Sequence, residues 1–185
     1  MTRLKGSLGI LCLALGLLSA CAGGPGGESA RKSGWAQPIR VRGVPNLCRV
    51  DDGLYRSAQF TAAGVAELKR LGIRTVVSLR SGREDEALLR GSGIRWVHLP
   101  VNTFFPRRDA FETFLKIAGD PQCRPLLVHC RHGSDRTGVA VALYRIGRQG
   151  WPAARANDEM AHGGTGFHPI HGHLREFVRG FFRHD

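Results

Sequence analysis

The segment from Leu126 to Val139, LLVHCRHGSDRTGV, places a cysteine and an arginine at a spacing suited to phosphate chemistry. Cys130 follows an apolar run, and Arg136 comes after five intervening residues, at the start of a second apolar run. A strand–loop–helix junction of this kind directs backbone N–H groups at an anion, and the helix N-terminus adds partial positive charge. Arg136 can bind two phosphate oxygens at once. The same field favours the thiolate of Cys130, which predicts a nucleophile poised to attack phosphorus.

The pattern His-Cys-(five residues)-Arg-Thr resembles the signature loop of the cysteine-dependent protein tyrosine phosphatase superfamily. The small domain resembles its dual-specificity branch, and flanking stretches resemble bacterial exported members and atypical plant and fungal ones. These stretches are Leu54–Gln59, Gly72–Arg80, Trp151–Pro152 and Glu159–Met160. The resemblance covers about residues 45–180. It implies a three-layer α/β fold and hydrolysis of phosphomonoesters, in proteins or in small esters such as phosphoinositides or inositol phosphates, without metal or other cofactor.

The resemblance also implies a role for each residue of the loop. Cys130 would form a phosphocysteine, and Arg136 would bind the phosphate. Thr137 would steady the thiolate as it leaves, and His129 would orient the loop through hydrogen bonds. The other expected substrate-binding residues are Arg131, His132, Gly133 and Ser134. The side chains of Arg131 and His132 could form a rim that favours polyanions, or they could point to solvent.

Two carboxylates are candidates for the general acid that such an enzyme needs. Asp109 is the only acidic residue between Leu99 and Phe111, where the family usually places the acid, but it could instead cap the following helix. Asp135 lies inside the loop, and its Asp-Arg-Thr ending resembles that of lipid phosphatases and secreted bacterial phosphatases. It could alternatively only shape the loop. The sequence favours Asp109 slightly over Asp135, while Asn102 stands where an acid would be expected.

Two other functions are compatible with the loop. A phosphate-binding module without turnover would keep Arg136 and the loop amides but lack a working acid. Sulfurtransfer is the third candidate, because enzymes of the rhodanese type also place a cysteine in an anion-binding loop. The Arg136-Thr137 pair at this spacing argues against sulfurtransfer.

Alternating strand and helix patterns predict the frame around the loop. The predicted strands are Asn46–Val50 and Gly53–Ser57, which form a hairpin, Ile73–Leu79, Ile94–Leu99 and Pro125–Val128. The predicted helices are Thr61–Leu71, Arg83–Arg90, Asp109–Ala118, Thr137–Gly147, Ala153–Ala161 and Ile170–Phe182. This alternation predicts an α/β domain whose mostly parallel sheet is covered by helices on both faces.

Residues 1–20 have the pattern of a lipoprotein signal peptide. Arg3 and Lys5 precede an apolar run, Leu8–Leu18, that is shorter than the roughly 20 residues of a membrane span. Leu18-Ser19-Ala20-Cys21 resembles the bacterial lipobox, which implies cleavage before Cys21 and attachment of lipid to its sulfur. An ordinary cleaved signal and an uncleaved anchor are the alternatives.

The signal sets the expected organisation and location of the chain. Residues 21–40 would be the lipidated cysteine and a flexible, Gly- and Ser-rich tether, and residues 41–185 the phosphatase-like domain. By resemblance to Gram-negative lipoproteins, Ala22 after the lipid-bearing cysteine favours the outer membrane over the inner one. We therefore expect an exported protein that faces the periplasm and is held to the membrane by its lipid.

The net charge of +12 points to an anionic partner. The charges are spread along the chain, with no block of five consecutive Lys or Arg and no zinc-finger or RNA-binding motif. We therefore expect a phosphorylated substrate rather than nucleic acid.

Cysteines and histidines raise two further questions. Beyond Cys12 and Cys21, the chain contains Cys48, Cys123 and Cys130. Cys48 and Cys123 could form a disulfide in an oxidising compartment or remain two buried thiols. The sequence HPIHGH and its surroundings are suited to metal binding, but no cysteine or acidic residue stands alongside, so no metal site is expected. The histidines concerned are His162, His168, His171 and His173.

Overall fold

Six short strands form one sheet that is mostly parallel. The computed structural model describes residues 32–183. The strands are β1 (Gln37–Pro38), β2 (Cys48–Asp51), β3 (Leu54–Ser57), β4 (Thr75–Ser78), β5 (Arg95–His98) and β6 (Leu126–His129). Their order is β1-β2-β3-β6-β4-β5, with β3, β6, β4 and β5 parallel and β1 and β2 antiparallel to their neighbours. The predicted hairpin is confirmed as β2 and β3.

Six α-helices surround the sheet in the described part of the chain. They are α1 (Ala62–Arg70), α2 (Glu84–Leu89), α3 (Arg108–Gly119), α4 (Asp135–Gln149), α5 (Ala153–His162) and α6 (His173–Gly180). Two 3₁₀ turns, Pro121–Cys123 and Pro169–His171, precede β6 and α6. None of the helices within residues 32–183 has the length and apolar character needed to cross a bilayer.

Both faces of the sheet are buried, which produces three layers. Along β6, Leu126 and Val128 join the core formed with α3, α4, α5 and α6. Leu127 points to the opposite face and joins the core formed with α1 and α2. All three side chains have 0% exposure. This alternation explains why a continuous apolar run can be a strand, and it confirms the predicted three-layer α/β fold.

The folded region includes residues that the sequence assigned to the tether. Trp35 and Ala36 are buried, and β1 pairs with β2. The backbone N–H of Ala36 donates a hydrogen bond of 2.6 Å to Glu159 Oε1 in α5. The packed region therefore begins before the predicted boundary at residue 41.

The C-terminal helix is shorter than predicted. Instead of one helix over Ile170–Phe182, a 3₁₀ turn is followed by α6, which begins after Gly172. Ile170, Leu174 and Val178 are four residues apart, which suggested one apolar helix face. However, Ile170 is 76% exposed, whereas Leu174 and Val178 are buried. The apolar spacing therefore extended the predicted helix across a turn.

No disulfide joins any of the three cysteines in the described residues. Cys48 lies in β2, and Cys123 lies in the 3₁₀ turn before β6. The Cys123 thiol donates to Asp120 Oδ2 at 3.4 Å, and burial together with this carboxylate raises its pKa. Of the two alternatives, the structure therefore has buried thiols rather than the disulfide.

Candidate active site

The signature loop lies at the carboxyl edge of the parallel strands. β6 ends at His129 and α4 begins at Asp135, two residues earlier than predicted. In the sheet, His129 is in register with Ser57 of β3 and Ser78 of β4. The ends of three strands therefore meet beside Cys130, at the edge where α/β sheets bind ligands.

Groups outside the loop bind its carbonyl oxygens. Arg56 Nη2 donates to the carbonyl of Gly133 at 2.6 Å. Asn46 Nδ2 donates to the carbonyl of His132 at 3.0 Å, and the backbone N–H of Gln59 donates to that of Arg131 at 3.1 Å. Carbonyls held on the outside are what turns the amide N–H groups of a loop inward, toward a bound anion.

Gly133 is the one loop position where the backbone requires glycine. Its φ of +72° lies in the left-handed region. A Cβ atom there would lie 2.5 Å from the carbonyl carbon of Ser57 and 2.5 Å from the nitrogen of Ala58. The loop therefore packs directly on the backbone at the end of β3.

Arg136 lies in the first turn of α4 and borders an open cavity of about 450 Å³. Its Nη1 donates to the carbonyls of Leu79 at 3.1 Å and Val101 at 3.4 Å, which fixes the guanidinium beside the ends of β4 and β5. Phe104 and Phe105 border the same cavity and are 58% and 76% exposed. Cys130 is 2% exposed and lies below the surface.

Four other loop residues occupy different environments. Thr137 is buried, and its Oγ1 makes no hydrogen bond within residues 32–183, so its expected contact with the thiolate is not formed here. Ser134 Oγ donates to Asp135 Oδ2 at 3.1 Å. Arg131 and His132 are exposed, consistent with a rim position. Their parts in catalysis or substrate binding remain predictions.

Comparisons with known proteins identify the family. The model of a family described as DSP-PTPase phosphatase fused to NAD+ kinase matches residues 48–171. The chain belongs to this family of phosphatases. Dual specificity protein phosphatase TpbA from Pseudomonas aeruginosa is 39% identical over 175 residues, covering 92% of this chain and 79% of that relative. An inositol diphosphatase from Oryza sativa subsp. japonica is 29% identical over 138 residues, covering 69% of this chain and 67% of that relative.

Solved structures agree with this assignment. A crystal structure of P. aeruginosa TpbA, with a cysteine replaced by serine and in complex with phosphotyrosine, matches with a TM-score of 0.73 and 36% identity. The match covers 81% of this chain and 91% of that one. The catalytic core of a PP-IP phosphatase from S. cerevisiae matches with a TM-score of 0.65, covering 77% of this chain and 88% of that one. Because the identity is 21%, this match supports the fold alone. The predicted membership of the cysteine-dependent phosphatase superfamily is confirmed.

In this phosphatase, Asp109 lies in the first turn of α3 and is engaged by a neighbour. Arg107 donates from Nε to Oδ1 at 3.2 Å and from Nη2 to Oδ2 at 2.5 Å, and these bonds hold the pKa of Asp109 below its usual range. The side chain is 60% exposed and borders a second cavity, and Arg107 borders both this cavity and that of Arg136. Its role as general acid stays a prediction.

Asp135 is held inside the loop by a residue from the C-terminal region. Its Oδ1 accepts the backbone N–H of His168 at 2.9 Å, and its Oδ2 lies 2.8 Å from His168 Nδ1. Burial opposes ionisation, but these bonds from His168 and the hydroxyl of Ser134 hold the pKa of Asp135 below its usual range. The exposed ring of His132 lies 5.6 Å from that of His168. No pattern in the sequence predicts this contact.

Arg56 belongs to β3 and to the stretch Leu54–Gln59 that carries the family resemblance. The structure buries it, with 1% exposure, directly behind the loop that it holds. Burial lowers the pKa of Arg56, yet a guanidinium remains charged at neutral pH. Leu54, two residues earlier in the same strand, is apolar and shares a face with Arg56, which was the available signal.

Sequence reasoning missed Asp85 entirely. This residue of α2 is fully buried, and its Oδ2 lies 3.1 Å from His129 Nε2, a close contact that is not aligned as a linear hydrogen bond. Burial alone would raise the pKa of Asp85, but His129, Gln59 and Ser78 lower it to about 2. A fixed carboxylate therefore stands behind the histidine that precedes Cys130. Nothing in the acidic run of α2 distinguishes Asp85 from its exposed neighbours.

Proposed function

We propose that this chain hydrolyses phosphomonoesters through a phosphocysteine on Cys130, with phosphotyrosine as its preferred substrate group. The observation that carries the proposal is the loop itself, with Cys130 below the surface and Arg136 at the start of α4 beside the cavity. The loop amides and Arg136 would bind the three non-bridging oxygens of the phosphate. Turnover is favoured over the alternative of binding alone, because the same loop contains a cysteine that can act as nucleophile and Asp135, which can act as acid.

The reaction has two steps. The sulfur of Cys130 attacks phosphorus, a P–S bond forms as the ester P–O bond breaks, and the leaving oxygen takes a proton from an acid. Water then attacks phosphorus and gives its proton to the same carboxylate, and the thiolate of Cys130 leaves. Arg136 stabilises the charge on the equatorial oxygens in both steps.

Asp135 is the general acid in this proposal. It is part of the loop that contains Cys130 and is mostly buried, whereas Asp109 is exposed and engaged by Arg107. In the resting protein His168 lowers the pKa of Asp135, and the negative charge of a bound phosphate opposes that effect. Asn102 accepts the backbone N–H groups of Phe104 and Phe105 through Oδ1, so the position expected to hold an acid instead shapes a turn.

The preference for phosphotyrosine follows from the rim of the cavity. Phe104 and Phe105 present exposed rings beside Arg136, and an aryl group attached to a bound phosphate would lie against them. The structure of the TpbA relative with phosphotyrosine supports the same choice. The inositol diphosphatase relative makes inositol phosphates the substrates to test against it.

Turnover and the identity of the acid can be tested together. We expect the full chain to hydrolyse a phosphotyrosyl peptide in EDTA and the Cys130→Ser variant to be inactive. Asp135→Asn should lower kcat by about 100-fold, because the leaving oxygen loses its proton donor. Asp109→Asn makes the same change in charge and should retain most of the activity. A larger loss of kcat in Asp109→Asn than in Asp135→Asn would identify Asp109 as the acid. A folded parent without turnover would refute the proposal.

The rim can be tested separately. Replacing Phe104 and Phe105 by alanine should raise KM for the phosphotyrosyl peptide by roughly 3- to 10-fold, which corresponds to about 0.5–1.5 kcal/mol of aromatic contact. Ile170→Ala is the control, since Ile170 is equally exposed but does not border the cavity. Faster hydrolysis of an inositol diphosphate than of the peptide would reverse the substrate assignment.

We also propose that the chain is an exported lipoprotein anchored through Cys21. The proposal is supported by the signal and lipobox of residues 1–21, which lie outside the described residues. The parent should incorporate radiolabelled palmitate and sediment with outer membranes, and Cys21→Ser should do neither. Cys12→Ser is the control within the signal, and an unlabelled parent would contradict the assignment.

A further inference from the structure

Three potential metal ligands meet at the mouth of the signature loop, although no metal site was expected from the sequence. His132 and Asp135 belong to the loop, and His168 precedes the 3₁₀ turn before α6. One ligand atom from each lies within 4.8 Å of the other two. The acidic partner that the histidine-rich segment lacked in sequence is therefore supplied by the loop.

The donors form a chemically coherent set. Two imidazoles and one carboxylate, with room for water, bind zinc and similar divalent transition metals. Ligands of a tetrahedral zinc ion lie about 3.4 Å apart, given metal–ligand distances of about 2.1 Å. The ligand atoms here lie within 4.8 Å of one another. Because His132 and His168 are both exposed, rotation of their side chains can shorten these distances to those of a tetrahedral site.

The carboxylate is oriented by bonds that metal binding need not break. Asp135 Oδ1 accepts the backbone N–H of His168 at 2.9 Å, and its Oδ2 accepts Ser134 Oγ at 3.1 Å. Such outer bonds fix a ligand before the ion arrives and typically strengthen metal sites. Since the side chain of Asp135 is only 9% exposed, its position is set by the fold.

A fourth histidine adds an independent observation. The ring of His171 lies 6.2 Å from that of His168. Its Nδ1 is buried and has no hydrogen-bond partner within residues 32–183. A buried nitrogen without a partner is costly unless something binds it. His171 therefore carries an unsatisfied polar atom near His168, but it is not one of the three residues whose ligand atoms lie within 4.8 Å of one another.

Another pair in the chain shows what the cluster adds. His162 Nδ1 also lies 2.8 Å from a carboxylate, that of Asp158. In the described residues, however, this pair is not part of a group of three such ligands. The His162–Asp158 pair is an ordinary contact within one helix turn, which makes it a matched control for the cluster.

We propose that His132, Asp135 and His168 form a binding site for a divalent transition-metal ion, best suited to zinc, and that its occupancy inhibits the phosphatase. The inhibition rests on the proposed function, because the ion would occupy the carboxylate of Asp135 and fix the loop next to Arg136. The binding of the ion does not depend on turnover.

Binding is tested by calorimetric titration of the untagged full chain carrying Cys130→Ser, which removes the nucleophilic sulfur as a competing ligand. Zn²⁺ should bind at one site, and His132→Ala and His168→Ala should each weaken it by roughly tenfold or more. His162→Ala should bind as the parent does. Co²⁺ serves as a spectroscopic probe of the same site. Its absorption spectrum should show no sulfur-to-metal charge-transfer band, and its visible bands should disappear in the two histidine variants. Unchanged affinity in both cluster variants would overturn the proposal.

Inhibition is tested in the chain that retains Cys130. The ratio of activity in EDTA to activity in Zn²⁺ should be large for the parent and for His162→Ala, and close to one for His132→Ala. If His132→Ala has the same ratio as the parent, the inhibition comes from Zn²⁺ at the Cys130 thiolate instead, which would overturn the regulatory part of the proposal. A chain that binds Zn²⁺ but has no turnover in EDTA would refute the proposed function while leaving the metal site intact.

Discussion

At the residue scale, two arginines act on opposite sides of one loop. Arg56 is buried and binds the carbonyl of Gly133, whereas Arg136 reaches the cavity and is held by the carbonyls of Leu79 and Val101. Arg56 therefore supports the loop from within the fold, whereas Arg136 is the phosphate-binding group in the proposed function. The same residue type has two different environments, because one side chain is buried against a loop carbonyl and the other borders the cavity.

The buried contact between Asp85 and His129 predicts a specific dependence of stability on pH. Because the pKa of Asp85 falls from 3.8 to about 2 on folding, its contribution is present above pH 4 and is lost as the pH falls toward 2. At pH 6, Asp85→Asn should lower the free energy of unfolding by about 2 kcal/mol. Urea denaturation at several pH values should show that the difference in free energy of unfolding between parent and variant disappears between about pH 4 and pH 2.

The neighbouring Glu86 provides the control for this prediction. Its side chain is 50% exposed and pairs with Arg83 at 3.1 Å. Glu86→Gln should change the free energy of unfolding by less than about 1 kcal/mol, because solvent screens an exposed pair. If the difference in free energy of unfolding between the parent and Asp85→Asn is constant from pH 6 to pH 2, the charge of the Asp85 carboxylate is not the source of the stabilisation.

At the element scale, the loop depends on β3 as much as on β6 and α4. Its close approach to the end of β3 is possible only because Gly133 has no side chain. Gly133→Ala should therefore displace the loop and lower kcat/KM for a phosphotyrosyl peptide by roughly tenfold or more, since a misplaced reacting group commonly has such an effect. Steady-state kinetics, with a thermal unfolding curve for each variant, will measure both consequences.

Gly150 is a matched control for the strain at Gly133. It also has a positive φ, +67°, but a Cβ there would meet nothing within 4 Å. Gly150→Ala should lose about 1–2 kcal/mol of stability from the left-handed backbone alone and retain its turnover. If both variants lose activity in proportion to stability, the contact with β3 has no catalytic importance.

At the scale of the whole molecule, Glu159 joins three distant parts of the chain. Its carboxylate accepts two bonds of 2.8 Å from Arg145 of α4 and one of 2.6 Å from the N–H of Ala36. Both charged side chains are 3% exposed. Removing one partner of a buried pair leaves the other uncompensated, so Glu159→Gln should destabilise the fold by about 3–5 kcal/mol.

Urea denaturation and limited proteolysis will test this role. Glu159→Gln should also expose the chain to cleavage near Trp35, because the N–H of Ala36 loses its charged acceptor in α5. Glu112→Gln is the control, since its side chain is 51% exposed and pairs with Arg108 within α3. Equal stability of the two variants would mean that the buried pair adds nothing beyond an exposed one.

Local patterns in the sequence determined much of the molecule. Cys130 and Arg136 lie between two apolar runs, so the order of strand, loop and helix could be assigned from one short segment, although α4 begins two residues earlier than predicted. The alternation of strands and helices determined the layered fold, because each element must bury its apolar face. The same local reasoning failed at Ile170, where apolar spacing continued through a turn that leaves the side chain exposed.

Only the tertiary structure decided which distant residues serve the loop. Arg56 is 77 residues from Gly133, and His168 is 33 residues from Asp135. Such contacts depend on how the β3–β6 pairing and the C-terminal turn place elements in space, and no periodicity encodes that placement. The sequence by itself thus determined the fold and the family, and it predicts the nucleophile and the phosphate-binding arginine. The tertiary structure alone decided the buried supports of the loop and the cluster of His132, Asp135 and His168, because these arise from packing between remote segments.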